Sequence, residues 1–274
     1  MKRITLQEAL TTGRGIERSF CCPVHDDSNA SASINVAKGV WYCYACHAHG
    51  TAEDHVPSIE DVVRVLAGDA PVRTYPEAWL DLFDSDQPSP YWQDRFGKTV
   101  ANKHRCGTHY EDGTPTYPIR NANKELIGVV KRQEQSKQKY LYPSGIRTSA
   151  TFYGEFKPAQ VFVLVEGAAD VMAIDQSGIP ENWTVLGCFG SGLHAPQTQL
   201  IADLSPKVVI AAFDDDNAGN AAIERAKHQL ADVAPVLSHS WATLGANDPG
   251  DALVGERIES LRITLEDSPY KKYA

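Results

Sequence analysis

The sequence predicts a mixed multi-domain protein: an N-terminal metal-binding module, a small α+β basic subdomain, and an α/β domain built on a parallel sheet. Three observations predict this class. Four of the six cysteines lie within the first 46 residues, a clustering that favours metal binding in a reducing compartment. Short strands and turns dominate residues 91–155. Apolar, β-branched strands alternate with helices from residue 160 onward, as in parallel sheets.

Shifts in composition place the domain boundaries. We predict a zinc-binding module with flanking helices at 1–68, a proline-containing linker at 69–90 and the basic subdomain at 91–157. The α/β domain is predicted at 158–255, followed by a C-terminal tail at 256–274.

Residue periodicity predicts the elements of the first half of the chain. A short helix is expected within 1–17, an amphipathic helix at 59–66 and a short helical piece at 77–83. Strands at 116–119 and 126–130 should form a hairpin.

The second half of the chain has a β-α-β-α-β pattern, which predicts parallel strands with helices on both faces of the sheet. The predicted strands are 161–165, 185–188 and 207–213. The predicted helices are 168–177, 196–204, 218–231 and 251–260.

Composition narrows the class of protein. The chain has 274 residues and a formal net charge of −9, which argues against non-specific coating of nucleic acid. No apolar run reaches transmembrane length and no signal peptide begins the chain, so we expect a cytoplasmic protein without a membrane partner. The charge is uneven: 119–147 holds seven Lys/Arg and two acids, whereas 160–255 holds twelve acids and three bases. This distribution suits a protein that binds phosphate on one surface and metal ions on another.

Two cysteine-histidine pairs predict a structural zinc site. Cys22 and His25 are separated by two residues, as are Cys43 and Cys46. Each pair fits a tight turn, and two turns together supply four soft ligands with no open position. Cys21 is the alternative to Cys22 as the first ligand. We prefer Cys22, because Cys22 completes the C-x-x-H spacing with His25.

Acidic residues follow two of the predicted strands, and a further acidic pair lies near the end of the α/β domain. The carboxyl ends of parallel strands share one edge of a sheet, so these side chains should converge. Clustered carboxylates repel one another unless hard cations such as Mg²⁺ or Mn²⁺ bind them. The predicted ligands are Glu166, Asp170, Asp214, Asp216 and Asp248, with Glu166, Asp214 and Asp216 as the catalytic set. Asp215 and Asp251 have helix capping as an equal alternative.

A basic strip precedes the α/β domain. Lys131, Arg132 and Lys139 are placed to hold nucleic-acid backbone or nucleotide phosphates. Tyr140 and Tyr142 offer rings for stacking on unpaired bases. A solvated hairpin with lysines that protect a sheet edge is the alternative.

Taken in order, these segments resemble the DnaG-type DNA primases of bacteria and phages. The two metal-ligand pairs resemble the family's N-terminal zinc ribbon, and the K-Y-L-Y-P stretch at 139–143 resembles its basic segment. The segments beginning at Glu166, Phe213 and Asp248 resemble the three signature segments of the Toprim fold.

The resemblance implies an enzyme, a nucleotidyltransferase that makes short RNA primers on single-stranded DNA. It implies that Glu166 is the acid/base residue, that the aspartates bind Mg²⁺ or Mn²⁺, and that Arg132 and Lys139 line a basic groove. NTPs and a single-stranded DNA template are the implied substrates. The length of the chain predicts a phage or mobile-element primase that serves a separate replicative helicase.

Two alternatives compete with primer synthesis. The same Toprim chemistry cuts DNA in nucleases and topoisomerases of that fold. A zinc-dependent DNA-binding or helicase-loading protein without catalysis is the other alternative, which the set of Glu166, Asp214 and Asp216 disfavours.

Overall fold

The computed structural model describes residues 5–11, 17–28, 30–36, 39–52, 74–133, 136, 139–143 and 146–274. The chain forms two compact units, Met1–Pro71 and Val72–Ala274, and each is considered by itself. In the described part of the chain, no helix is both long and apolar enough to span a bilayer.

The first unit is an antiparallel sheet preceded by one short helix. Helix α1 is Leu6–Thr11, and the sheet has the order β1-β2-β3-β4. Its strands are β1 Glu17–Phe20, β2 Ala32–Asn35, β3 Val40–Cys43 and β4 His49–Thr51.

The core of the first unit is small, with Phe20, Ile34 and Val36 fully buried at its centre. The short helix predicted within 1–17 is observed as α1, and Glu17 already pairs with Asn35 in the sheet. The helix predicted at 59–66 lies outside the described residues.

The second unit begins with an α+β layer. Residues Glu77–Phe83 form a 3-10 helix and Pro90–Lys103 form α2. The strands β5 Gly107–Thr108, β6 Pro115–Arg120, β7 Leu126–Arg132 and β8 Tyr140–Leu141 form a second antiparallel sheet. The predicted hairpin is confirmed as β6 and β7.

The predicted domain boundaries remain a prediction, although part of the predicted linker is packed. Leu80 and Phe83 are buried in a cluster with Leu126 and Val129 of β7.

Helix α2 was missed by the sequence analysis. Trp92, Phe96 and Val100 recur at helical spacing and are buried, but Gly97 interrupts the pattern with a φ of 77°. That left-handed conformation favours glycine and splits the helix into two segments. Each segment alone is too short to give a clear period.

The C-terminal layer is a four-stranded parallel sheet of order β10-β9-β11-β12. The strands are β9 Val161–Val165, β10 Trp183–Gly187, β11 Val208–Ala211 and β12 Val236–Ser238. The helices are α3 Ala168–Asp175, α4 Ala195–Leu204, α5 Asn217–Gln229 and α6 Arg257–Glu266.

Strand β9 is central and divides the core into two layers. Val161, Val163 and Val165 pack in one cluster with residues of α3 and α6. Phe162 and Leu164 pack in the other, with residues of α4 and α5. Alternate side chains of a strand point to opposite faces, so helices cover both faces, as predicted.

Two details of the C-terminal region differ from the prediction. Strand β12 was not predicted, because its three residues are only partly buried. The last helix was predicted at 251–260 but begins at Arg257. Residues 248–251 form a turn instead, in which the Asp251 amide donates to Asp248 Oδ1 at 3.0 Å.

Candidate functional site

The four predicted zinc ligands converge. Ligand atoms of Cys22, His25, Cys43 and Cys46 all lie within 4.8 Å of one another. The Cys22 and Cys46 sulfurs are 3.7 Å apart, and the Cys43 sulfur is 4.0 Å from His25 Nδ1. Three thiols and one imidazole are a donor set that suits tetrahedral Zn²⁺. The site therefore fits a structural zinc ion, with all four positions supplied by the protein.

Backbone geometry shapes both ligand turns. The amides of Val24 and Cys46 point at the sulfurs of Cys22 and Cys43, at 3.4 and 3.5 Å. Buried Asp27 accepts from the Cys22 amide at 2.8 Å, which fixes the start of the first turn.

The Cys43 thiol is already prepared for deprotonation. Burial raises its pKa, but hydrogen bonds with the Ser31 hydroxyl and the backbone at Cys46 outweigh burial and lower the pKa to about 6. Because the thiolate is the metal-binding form, these contacts favour ligation near neutral pH.

The acidic residues lie at the carboxyl edge of the parallel sheet. Glu166 directly follows β9, and Asp214 follows β11 by three residues. Asp170 lies in the first turn of α3, where it accepts from the Gly167 amide at 2.8 Å. Asp216 caps α5 by accepting from the Gly219 amide at 2.8 Å. Helix capping therefore fixes two of the predicted ligands without excluding metal binding, because each carboxylate has a second oxygen.

Gly219 allows the segment after β11 to turn tightly. A Cβ atom at this position would lie only 2.0 Å from the carbonyl oxygen of Asp214. Any larger residue would push the first turn of α5 away from Asp214, so glycine is required where the acidic loop meets the helix.

The carboxylates form one electrostatic group. Burial raises the pKa of Asp214 to about 7, with further contributions from Glu166, Asp170, Asp248 and Asp216. Burial likewise raises the pKa of Asp170 to about 7, although its hydrogen bond from Gly167 lowers it. The pKa of Glu166 is raised by burial first, then by the charges of Asp216 and Asp248. Mutual repulsion of this kind is relieved by a divalent cation.

The carboxylate oxygens do not meet in one coordination shell. Among the described residues, the zinc set is the only group of three or more His, Cys, Asp or Glu side chains with ligand atoms within 4.8 Å of one another. Glu166, Asp214 and Asp216 therefore do not form a group this tight in the structure. Their oxygen-only chemistry fits hard divalent ions, and their role as ligands remains a proposal.

Asp215 and Asp251 face different surroundings from their neighbours. Asp215 accepts from the Ser240 hydroxyl at 3.0 Å and from the Ala242 amide at 2.7 Å. It therefore ties the loop after β11 to the segment after β12, whereas Asp216 supplies the helix cap that was the alternative for Asp215. Asp251 is exposed, and its amide closes the turn onto Asp248.

The basic strip lies on β7 and β8. Arg132 pairs with Tyr140 across the two strands, and its guanidinium lies 4.8 Å from the Tyr140 ring centroid. One face of the Tyr140 ring is therefore covered by Arg132 rather than open to a base. Lys131 forms an ion pair with Asp112 at 3.0 Å. Lys139 is exposed at the start of β8.

Sequence analysis missed three residues next to these groups. Tyr91 and Arg95 lie on the unpredicted helix α2, and Tyr91 Oη accepts hydrogen bonds from both Arg95 and Arg132. Buried Arg257 holds the loop that carries Asp248. The aromatic-x-x-x-Arg spacing at 91–95 was the only sequence signal for the first two.

Models of two protein families match the chain. Residues 6–67 match the CHC2 zinc finger of DnaG, and residues 163–253 match a Toprim-like domain. Both matches contain the predicted ligands of the corresponding site. The chain is thus a two-module protein, a CHC2 zinc finger followed by a Toprim-like domain.

Curated relatives agree with this class. DNA primases of Deinococcus radiodurans and Neisseria meningitidis are each 24% identical, over 89% and 77% of this chain. The chain spans about half the length of these relatives, 54% and 49% respectively. Over most of its own length, the chain is therefore similar to DNA primases.

Solved structures share the fold. The zinc-binding and RNA polymerase domains of the Aquifex aeolicus primase match 94% of this chain and 80% of that chain, with a TM-score of 0.55 and 18% identity. The RNA polymerase domain of Mycobacterium tuberculosis DnaG, solved with an overhanging DNA duplex, has a TM-score of 0.52 and 18% identity. That match covers 77% of this chain and 82% of the other. These likenesses confirm the predicted mixed α/β fold with a zinc ribbon and a Toprim-like domain.

Proposed function

We propose that the protein is a DNA primase that synthesises short RNA primers on single-stranded DNA in the cytoplasm. One observation carries the proposal: carboxylates from three separate loops lie close enough together, and buried enough, to raise the pKa of Glu166 and of Asp214. A structural role does not explain this arrangement, because uncompensated carboxylates destabilise the fold. The similarity to DNA primases and the basic strip of the same unit support the assignment.

The acidic edge would hold Mg²⁺ or Mn²⁺ through Glu166, Asp170, Asp214, Asp216 and Asp248. When bound, such ions neutralise triphosphate charge and support in-line phosphoryl transfer. Glu166 is the proposed general base, since its raised pKa makes the carboxylate a better proton acceptor. It takes the proton of the attacking 3′-hydroxyl as that oxygen bonds to the α-phosphorus and pyrophosphate leaves.

The remaining residues bind and orient substrates. Arg132 and Lys139 are proposed to hold phosphates of the template or nucleotide, with Lys131 supporting the edge of the strip. Tyr140 would act mainly by fixing Arg132, whose guanidinium lies over its ring. The zinc module is proposed to contribute to template recognition, and a separate helicase remains a predicted partner.

Incorporation of labelled NTPs on single-stranded DNA with Mg²⁺ or Mn²⁺ tests the proposal. We expect primer-length RNA from the parent protein and none from Asp214→Asn, because the amide lacks the charge that holds the cation. Asp203→Asn is the matched control, since Asp203 is exposed on α4 and contacts only Gln199 among the described side chains.

The assay also separates the alternatives. Breakage of the DNA strand, lost in Asp214→Asn, would identify a Toprim nuclease instead. Retention of DNA with neither synthesis nor cleavage would identify a non-catalytic binding protein, and either result would refute the primase assignment.

A further inference from the structure

The segment between β12 and Asp248 is attached to the loop after β11 through its backbone and one indole. The buried Trp241 donates from Nε1 to the Ala212 carbonyl oxygen at 3.1 Å. The Asp215 amide donates to the Asn247 carbonyl oxygen at 2.8 Å, and Asn247 directly precedes Asp248. Two loops that carry proposed cation ligands are therefore held against each other.

The Asp215 side chain holds the opposite end of the same segment. Its carboxylate accepts from the Ala242 amide at 2.7 Å and from the Ser240 hydroxyl at 3.0 Å. These two donors lie at the start of the 3-10 helix Trp241–Leu244, whereas Asn247 lies beyond its end. Asp215 thus holds the segment at both ends, with its side chain at one end and its amide at the other.

The Asp215 carboxylate is directed differently from its neighbours. The charges of Asp248 and Asp216 contribute to the raised pKa of Asp214, which places them close to that group. The Asp215 charge acts on His239 at the end of β12, where it opposes the lowering of the pKa by burial. Because both Asp215 oxygens accept from protein donors, this carboxylate is bound to the protein rather than presented to a cation.

A cation that binds both loops depends on how they are spaced. Ligands that are held near their bound positions before the ion arrives lose less conformational freedom, so they bind it more tightly. Residues that orient metal ligands without touching the metal contribute to affinity in this way. Asp215 is placed for such a role, because it lies between Asp214 and Asp216 in the chain and holds the segment that leads to Asp248.

We propose that Asp215 is a positioning residue, which holds the Asp248 segment against the loop of Asp214 and Asp216 and thereby raises the affinity of the acidic edge for a divalent cation. The inference rests on the cation site of the proposed function. It assigns Asp215 no contact with the cation or with a substrate.

Binding of Mn²⁺ to the full, zinc-loaded chain, followed by electron paramagnetic resonance, tests the inference without requiring synthesis. The central variant is Asp215→Ala, which removes the carboxylate and its contacts. Asp215→Asn removes the same charge but keeps both contacts, since the amide oxygen can accept from Ala242 and the amide nitrogen can donate to Ser240. Asp232→Ala is the matched control, because it removes one exposed carboxylate four residues before β12, at the amino end of that strand.

We expect Asp215→Ala to weaken Mn²⁺ binding about tenfold, the lower end of the range for residues that orient metal ligands. The affinity of Asp215→Asn should lie closer to that of the parent protein than to that of Asp215→Ala, and Asp232→Ala should match the parent. Excess Mg²⁺ should restore primer synthesis by Asp215→Ala, because concentration overcomes weakened cation binding. A cooperative thermal transition and unchanged zinc content would show that each variant is folded.

Ser240→Ala is the second variant, used if Asp215→Ala does not fold. It removes one donor to the Asp215 carboxylate and leaves the Ala242 amide in place, so it should weaken Mn²⁺ binding by a smaller factor. Unchanged Mn²⁺ binding by folded Asp215→Ala, or by Ser240→Ala in its place, would overturn the inference. Equal weakening in Asp215→Asn and Asp215→Ala would also overturn it, since Asp215 would then act through its charge alone.

The same measurements separate the inference from the proposed function. A parent protein that binds no Mn²⁺ would overturn the positioning role together with the cation site. A parent protein that binds Mn²⁺, with the expected order of affinities among the variants, yet makes no RNA would refute the proposed function and leave the positioning role of Asp215 intact.

Discussion

Arg257 Nη1 donates to the carbonyl oxygen of Ala173 at 2.6 Å, which joins the start of α6 to the end of α3. The same buried guanidinium donates through Nε to the Ala252 carbonyl oxygen at 3.0 Å. Arg257 therefore connects the helix that carries Asp170 to the loop that follows Asp248. One side chain therefore forms hydrogen bonds to both acidic segments.

Replacing Arg257 should loosen this connection. Arg257→Met keeps much of the side-chain volume but leaves the two carbonyl groups without a donor. We expect the free energy of unfolding to fall by about 3 kcal/mol, the cost of losing buried charge-assisted hydrogen bonds. Urea unfolding measures this change. Arg225→Met on α5 is the control, because it removes a single exposed hydrogen bond, to the Ser191 carbonyl oxygen. An equally large fall in the free energy of unfolding for Arg225→Met would contradict the special role of Arg257.

Removal of one zinc ligand should release the metal. Cys43→Ser replaces a buried thiol whose pKa is lowered to about 6, so we expect loss of stoichiometric zinc and unfolding of the small first unit. Cys21→Ser is the control, because Cys21 lies outside the four-ligand cluster. Metal analysis of the purified proteins measures both. If Cys21→Ser lost zinc while Cys43→Ser retained it, Cys21 would be a ligand and Cys43 would not.

Divalent cations should stabilise the second unit. Burial and neighbouring carboxylates raise the pKa of Asp214 and of Asp170 to about 7, which means that their ionised forms destabilise the fold near neutral pH. Bound Mg²⁺ or Mn²⁺ offsets this repulsion and should raise the thermal midpoint of the parent protein by mass action. Asp214→Asn should be more stable than the parent without added cation and should respond less to it. Equal responses in calorimetry would argue against a cation at Asp214.

The parts of the molecule that sequence analysis predicted correctly are those set by short-range patterns. The convergence of the four predicted zinc ligands follows from their spacing within two turns, and β9 follows from five consecutive apolar residues. Helix α2 was missed because Gly97 breaks its period, and Tyr91 and Arg95 were missed with it. Arg257 gave no local signal, since its contacts lie 84 and 5 positions away along the chain. The positions of the carboxylate oxygens depend on how separate loops pack, which spacing along the chain does not encode.

His239 should give the protein a specific pH dependence of stability. It is 4% exposed at the end of β12, beside Thr264 at 2.8 Å. Burial lowers its pKa to about 4, although the charge of Asp215 opposes this shift. The folded state thus keeps His239 neutral while the unfolded chain protonates it near its usual pKa of about 6.5. Its contribution is complete above pH 6.5, declines as the pH falls towards 4, and stays constant below that.

His239→Gln should remove this part of the pH dependence. Between about pH 6.5 and 4 the parent protein should lose up to about 3 kcal/mol more stability than the variant, which corresponds to the size of the pKa shift. Urea unfolding at a series of pH values measures the difference, and subtraction cancels the carboxylates common to both proteins. His228→Gln, an exposed position on α5, should retain the slope of the parent. If the free energy of unfolding changed with pH in the same way for the parent protein and for His239→Gln, His239 would have the same pKa in the folded and unfolded states.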